Sequence, residues 1–256
     1  MNIKEYYTVM SRIYLNQIIL VGFFLIGCLF LFNAVGFPFI LKIIFIIVMI
    51  ILIYFFVKYL YFNFREGSLK YITSDKQIRN ENSKELMMMF LPAPSLFIKF
   101  FNSNGICEYE LRDEGMEPWK WFLPIRIRRR ESLSYQLKKR DGTVLVNMNV
   151  SQHNGQVEIT TPSNQLFIIK LQERKRKMMT FEAGNDMLFI HLTTHKIEVT
   201  KNNKNIATIQ NGWMPIKWQK YFSSNTPILT FKNEVSEAEQ FIIYGLLIFL
   251  FVNQFN

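Results

Sequence analysis

The hydrophobic pattern divides the chain near Phe62. Before it, Ile18 to Phe32 reads IILVGFFLIGCLFLF and Ile43 to Val57 reads IIFIIVMIILIYFFV, with no charged residue in either run. At ~1.5 Å of rise per residue, about 20 mostly apolar residues carry a helix across the ~30 Å hydrocarbon layer of a bilayer. Both runs reach that length with their flanks: Tyr14 and Leu15 for the first, and Phe37, Phe39, Ile40, Leu41, Tyr59, Leu60 and Phe62 for the second. Each is apolar on every side, unlike a surface helix. Only NAVGFP, Asn33 to Pro38, separates them, so a hairpin is predicted over residues 15–62 behind a short N-terminus at 1–14. Lys4 and Arg12 precede the first span and Lys58, Arg65 and Lys70 surround the exit of the second, while Lys42 alone lies near the loop. That bias predicts a two-span protein of the cell membrane with both termini in the cytoplasm.

Residues 63–94 read as a linker with some helix, in which Met87, Met88, Met89 and Phe90 pack against the domain or the membrane interface. From Ser95 the pattern becomes short apolar or alternating runs broken by turn residues, which predicts strands. The candidates are Leu96 to Phe101, Ile106 to Leu111, Trp121 to Arg128, Leu133 to Lys139, Thr143 to Val150, Gln156 to Thr160, Gln165 to Leu171, Met187 to Leu192, Lys196 to Thr200, Ile206 to Gln210, Pro215 to Gln219 and Ile228 to Lys232. Asp141-Gly142 predicts a type I′ hairpin turn, with Val144, Val146, Met148 and Val150 sharing one face of the following strand.

The tail decides how these strands close. Ser236 and Glu239 form an SxxE capping box ahead of Phe241 to Val252, FIIYGLLIFLFV, which has no polar face. Those 12 residues give a helix of only about 18 Å. A third membrane span is the competing reading, but it needs about 20 residues. A short helix apolar on all sides needs protein around it, and a barrel supplies that. The predicted fold is therefore a membrane α-helical hairpin plus a mainly-β domain at 95–256, an about twelve-stranded closed barrel around a buried hydrophobic C-terminal helix at 236–253.

With that strand series, the segment KIEVTKNNKNIATIQNGWMPIKWQ and the tail SEAEQFIIYGLLIFLFV, the region from Ser95 to Asn256 resembles the tubby-like C-terminal domain superfamily, which includes the phospholipid scramblases and the LURP-one-related proteins. The resemblance implies a twelve-stranded barrel wrapped around a hydrophobic C-terminal helix. Together with the basic runs it implies lipid binding. The chain differs from eukaryotic members in carrying a membrane hairpin in front, and it has neither a cysteine cluster for acylation nor an acidic loop suited to calcium.

Charge sharpens this picture. The chain has 256 residues, half of them apolar, with 30 Lys+Arg against 20 Asp+Glu, a formal charge of +10 and a mean hydropathy of +0.09. Lys4, Arg12, Lys42, Lys58 and Glu5 are the only charged residues up to Phe62, so most of the excess positive charge belongs to the soluble part. It concentrates in IRIRRRESLSYQLKKR, with Arg126, Arg128, Arg129, Arg130, Lys138, Lys139 and Arg140, and in QERKRK, with Arg174, Lys175, Arg176 and Lys177. These eleven are the candidate lipid-binding residues. A tethered domain holds such runs near anionic lipids, which offer about 1 kcal/mol per adjacent Lys or Arg. The bland reading is a solvated face.

Catalytic signals are absent from the sequence. His191 and His195 are four apart but lie in strand-like sequence without an HExxH context, and no GxSxG or glycine-rich phosphate loop occurs. Cys28 and Cys107 are too far apart in sequence for a CxxC site. Asp113, Glu114 and Glu117 lack the alternating oxygen ligands of an EF-hand. Trp119, Trp121, Trp213 and Trp218 fit barrel packing better than a ligand wall. No catalytic residue, metal or cofactor is expected. The expected partners are the bilayer, anionic lipid headgroups or a protein, and not nucleic acid. The rival readings are a bacterial PH-like domain of about seven strands behind two spans, and an immunity or lipid-transport protein acting through the hairpin.

Overall fold

The computed structural model describes residues 1–35, 39–69, 85–93, 95–115, 133–151, 153–212, 214–232 and 235–254. The chain divides into two compact units between Gln77 and Ile78.

The first unit is a helical hairpin of α1 (Ile3–Val35) and α2 (Phe39–Ser68). Both helices outrun the apolar runs that predict them: α1 begins well before Tyr14 and α2 continues past Phe62. Asn2 caps the start of α1, its Oδ1 accepting from the Glu5 N–H at 2.9 Å, and aromatic pairs join the two extensions. Tyr14 stacks on Phe62 at 5.4 Å, Tyr7 lies 6.0 Å from the same ring, and Arg65 sits 5.6 Å over Tyr7. Both helices are long and apolar enough to cross a membrane, and only 0% and 6% of their most apolar windows are buried. Burial separates them from a core helix, because Phe23, Phe30 and Phe39 are all more than 70% exposed.

The second unit is a closed antiparallel barrel of twelve strands, with successive strands adjacent around the ring and β1 closing on β12. They are β1 (Glu85–Phe90), β2 (Phe97–Phe101), β3 (Cys107–Asp113), β4 (Leu133–Lys139), β5 (Val144–Ser151), β6 (Gln156–Thr160), β7 (Leu166–Lys175), β8 (Met178–Ala183), β9 (Asp186–Leu192), β10 (Lys196–Lys201), β11 (Lys204–Gln210) and β12 (Ile228–Phe231). Closure leaves no free sheet edge running the length of the domain.

Ten strands fall where the pattern predicts them; the others differ for physical reasons. Glu85–Phe90, expected within the linker, is β1, with Leu86 to Met89 buried. Met178–Ala183 is β8, which the pattern missed. Pro215 to Gln219, expected as a strand, contains instead the one-turn helix α3 (Ile216–Gln219). The expected strand Trp121 to Arg128 lies outside the described residues.

The turn chemistry also differs. At Asp141-Gly142 only Gly142 has positive φ (+88°), and Gly142 N–H bonds to the Lys139 carbonyl at 2.9 Å. The register shift beside Lys138 makes this a turn with a glycine bulge rather than type I′, which needs positive φ at both central residues. That requirement is met at Asn202 (φ 46°) and Asn203 (φ 66°), between the paired Lys201 and Lys204. Asparagine tolerates this region better than other side chains.

The barrel encloses α4 (Glu237–Gln254). The predicted capping box forms: Ser236 Oγ accepts from Glu239 N–H at 3.3 Å, and Glu239 Oε2 accepts from Ser236 N–H at 2.9 Å. Phe241 and every residue from Ile243 to Leu250 are buried. Tyr244 meets Phe100 at 5.0 Å, Phe249 meets Phe181 at 5.3 Å, and Phe251 meets Phe90 at 5.2 Å. At ~1.5–3 kcal/mol per large side chain, the helix supplies on the order of 20 kcal/mol of burial before entropy is charged. At Gly245 a Cβ would stand 2.9 Å from Ile159 and 3.2 Å from Val157. The missing side chain thus lets α4 lean on β6. The apolar tail is the core of the barrel, not a third span.

Candidate functional site

Because every strand runs antiparallel to its neighbours, one rim of the barrel collects the starts of odd-numbered strands and the ends of even-numbered ones. We name this the upper rim; β1 begins there at Glu85. The opposite, lower rim holds the ends of odd-numbered strands. Helix α4 runs from upper to lower, since Glu239 meets Lys201 at the end of β10 and Phe251 meets Phe90 at the end of β1.

This parity separates the predicted basic residues. Lys138, Lys139 and Arg140 lie at the end of β4, on the upper rim; Arg174, Lys175, Arg176 and Lys177 lie at the β7–β8 hairpin, on the lower rim. Arg126, Arg128, Arg129 and Arg130 lie outside the described residues. The two described clusters therefore do not share one surface.

Their surroundings differ as well. Lys138 stands opposite Glu110 in the β3–β4 register, and Arg140 donates its backbone N–H to the carbonyl of Glu108 at 3.1 Å. Asp141 follows directly, and hydrogen bonds from Thr143 hold its carboxyl below the usual range, so it stays charged. Of these carboxylates only that of Asp141 acts on the upper cluster, through Lys139; that of Glu110 pairs with Lys99 and Arg112, and that of Glu108 accepts from Asn102 at 2.7 Å. At the lower rim Glu173 pairs with Lys175 at 2.8 Å. Arg174, Arg176 and Lys177 have no ion pair among the described residues, and all three are exposed. The hairpin also outreaches its neighbour: β6 begins at Gln156, opposite Lys170, so Glu173 to Lys175 pair only with β8 among the described residues.

Two further exposed cations, Lys217 and Lys220, sit in the segment between β11 and β12. Reading Pro215 to Gln219 as a strand hid Lys217, and Lys220 follows it directly; the visible signal is that Asn211 to Pro227 contains no acidic residue. Asn211 donates its backbone N–H to the carbonyl of His195 on the lower rim at 2.8 Å. The segment then covers the outside of β1 and β2, with Phe222 6.1 Å from Phe101 and Thr226 3.9 Å from the Met89 sulfur. That cover is why β1 is buried on both faces.

The remaining candidates stay apart. His191 lies on β9 opposite Glu198 and His195 in the following turn; among the described residues no group of three metal-ligating side chains converges. Cys107 is buried, which pushes its thiol up to about 11, so it is a poor nucleophile at neutral pH. Asp113 turns its carboxylate onto the Gly115 N–H at 2.9 Å, and Glu117 lies outside the described residues. Trp218 is buried, while Trp119, Trp121 and Trp213 lie outside the described residues.

Comparison with protein-family models, with curated proteins and with solved structures found no match.

Proposed function

We propose that this chain is a membrane-anchored, non-enzymatic binding module of tubby-like type, whose barrel contacts anionic lipid headgroups on the cytoplasmic side of the cell membrane. The observation that carries this reading is the set of exposed, unpaired cations Arg174, Arg176 and Lys177 on a barrel tethered to two exposed apolar helices. Each such cation near an anionic leaflet contributes about 1 kcal/mol. Tethering raises the effective concentration of the barrel at the surface, so weak contacts suffice. The charge bias of Lys4, Arg12, Lys58, Arg65 and Lys70 around the hairpin supports cytoplasmic termini.

The rival PH-like reading expects about seven strands, and the barrel has twelve. The test is lipid analysis of the full chain extracted in mild detergent. Enrichment of anionic lipids over the surrounding membrane is expected, and it falls in the triple variant R174E/R176E/K177E. A lipid complement identical to the bulk membrane, unchanged by the variant, overturns the proposal.

A further inference from the structure

We infer that the α3 segment, Pro215 to Tyr221, is the element of the barrel that enters an anionic bilayer, with Ile216 as the inserted side chain and Lys217 and Lys220 held at the phosphate layer. This rests on the proposed lipid-binding reading and adds the point of contact. Ile216 is 86% exposed, the most exposed large apolar side chain described in the barrel. A lone exposed aliphatic is unremarkable by itself; the surroundings of this one are what point to lipid.

The side chain stands on a fixed base. Met214, Trp218 and Phe222 are buried around it. The Trp218 N–H bonds to the Pro215 carbonyl at 2.9 Å, and Gln219 Nε2 donates to the Met214 carbonyl at 2.8 Å. The turn therefore holds Ile216 outward. The flanking charge is uniformly positive: Lys217 and Lys220 have no ion pair among the described residues, and no acidic residue occurs from Asn211 to Pro227. Lys220 Nζ lies 4.5 Å over the Tyr221 ring and Lys217 Nζ 5.8 Å over Trp218, so each ammonium rides on an aromatic base. An aliphatic tip with lysines and interfacial aromatics behind it matches the depth profile of a bilayer surface, apolar within and anionic at the phosphates.

The test uses the full chain in nanodiscs of phosphatidylcholine alone or with about 30% phosphatidylserine. An environment-sensitive fluorophore is placed at Ile216→Cys or at Arg176→Cys, with Cys28 and Cys107 replaced by Ser. The expected result is an emission rise of about twofold or more at position 216 in the anionic discs only, abolished in K217E/K220E. A rise at 176 with none at 216 overturns this inference and leaves the lipid-binding reading standing. No rise at either position overturns both. A rise at 216 that survives K217E/K220E shows the dye inserting by itself and overturns the inference.

Discussion

Lys201 Nζ lies 2.9 Å from Glu239 Oε1, joining the end of β10 to the first turn of the core helix. The same ammonium lies 2.9 Å from Asp186 Oδ2 at the start of β9. Hydrogen bonds from Lys201 and Asn202 hold Asp186 below the usual carboxylate range. Burial works against the charged form of Glu239, but bonds from Lys201 and Ser236 together leave it lowered as well. Lys201 is raised by its bonds to the two carboxylates. Lowered carboxylates stabilise the fold above their unfolded values of about 4, and that stability is lost as pH falls through the folded values. The raised lysine contributes fully below about 10.4, so it does not titrate in the acid window. The Tm of the full chain in detergent should fall from pH 6 to pH 3, and less steeply in K201M. An equal slope in K201M contradicts this role.

The cap on α4 makes a separate prediction. Ser236→Ala removes the acceptor for the Glu239 N–H and should cost about 1 kcal/mol. Chemical denaturation should show a lower midpoint with an unchanged slope.

Gly245 tests how tightly the barrel grips its core. Gly245→Ala gains about 1 kcal/mol of helix propensity and pushes against the mobile end of Ile159, so the two effects should nearly cancel. Gly245→Leu has no room against Val157 and Ile159 and should cost about 3 kcal/mol through overpacking. If both substitutions are neutral in denaturation, α4 does not lean on β6.

Tyr244 is fully buried, and its hydroxyl has no hydrogen-bond partner among the described residues. An unpaired buried hydroxyl costs about 1–3 kcal/mol. Tyr244→Phe should therefore leave the chain as stable or raise its Tm, whereas loss of a paired hydroxyl would lower it. The ring contacts with Phe100 and Phe231 are retained.

The two rims give a functional contrast. Charge reversal at Lys138, Lys139 and Arg140 should change anionic-lipid enrichment less than R174E/R176E/K177E, because Asp141 stands beside Lys139 on the upper rim while the lower hairpin projects past its neighbour β6. Equal losses would show that both rims contact lipid.

Much of the fold was legible because its decisive elements are long and uninterrupted. The two spans and the tail carry no polar face, and length alone separates 12 apolar residues from a span. Strand β1 was hidden because burial on both sides removes the alternation that marks a strand, leaving Met87, Met88 and Met89 to read as a packed linker. Ile216 and Trp218 are two apart, so α3 imitates a strand, although only Trp218 is buried. The separation of the basic clusters was present in the sequence as strand parity, since four expected strands run from Leu133 to Leu171. Taking the cations as two runs along the chain, without the rim each run reaches, hid it. Exposure of Ile216 comes only from the folded neighbours.

The apolar tail packs inside the barrel, and the proposed membrane anchor is the hairpin of α1 and α2. A photoactivatable hydrophobic reagent dissolved in the bilayer around the reconstituted full chain tests it most directly, with modified peptides read by mass spectrometry. Labelling is expected in peptides from 18–32 and 43–57 and in none from 241–252. Labelling of Phe241 to Val252 at the level of the two hairpin helices would contradict it.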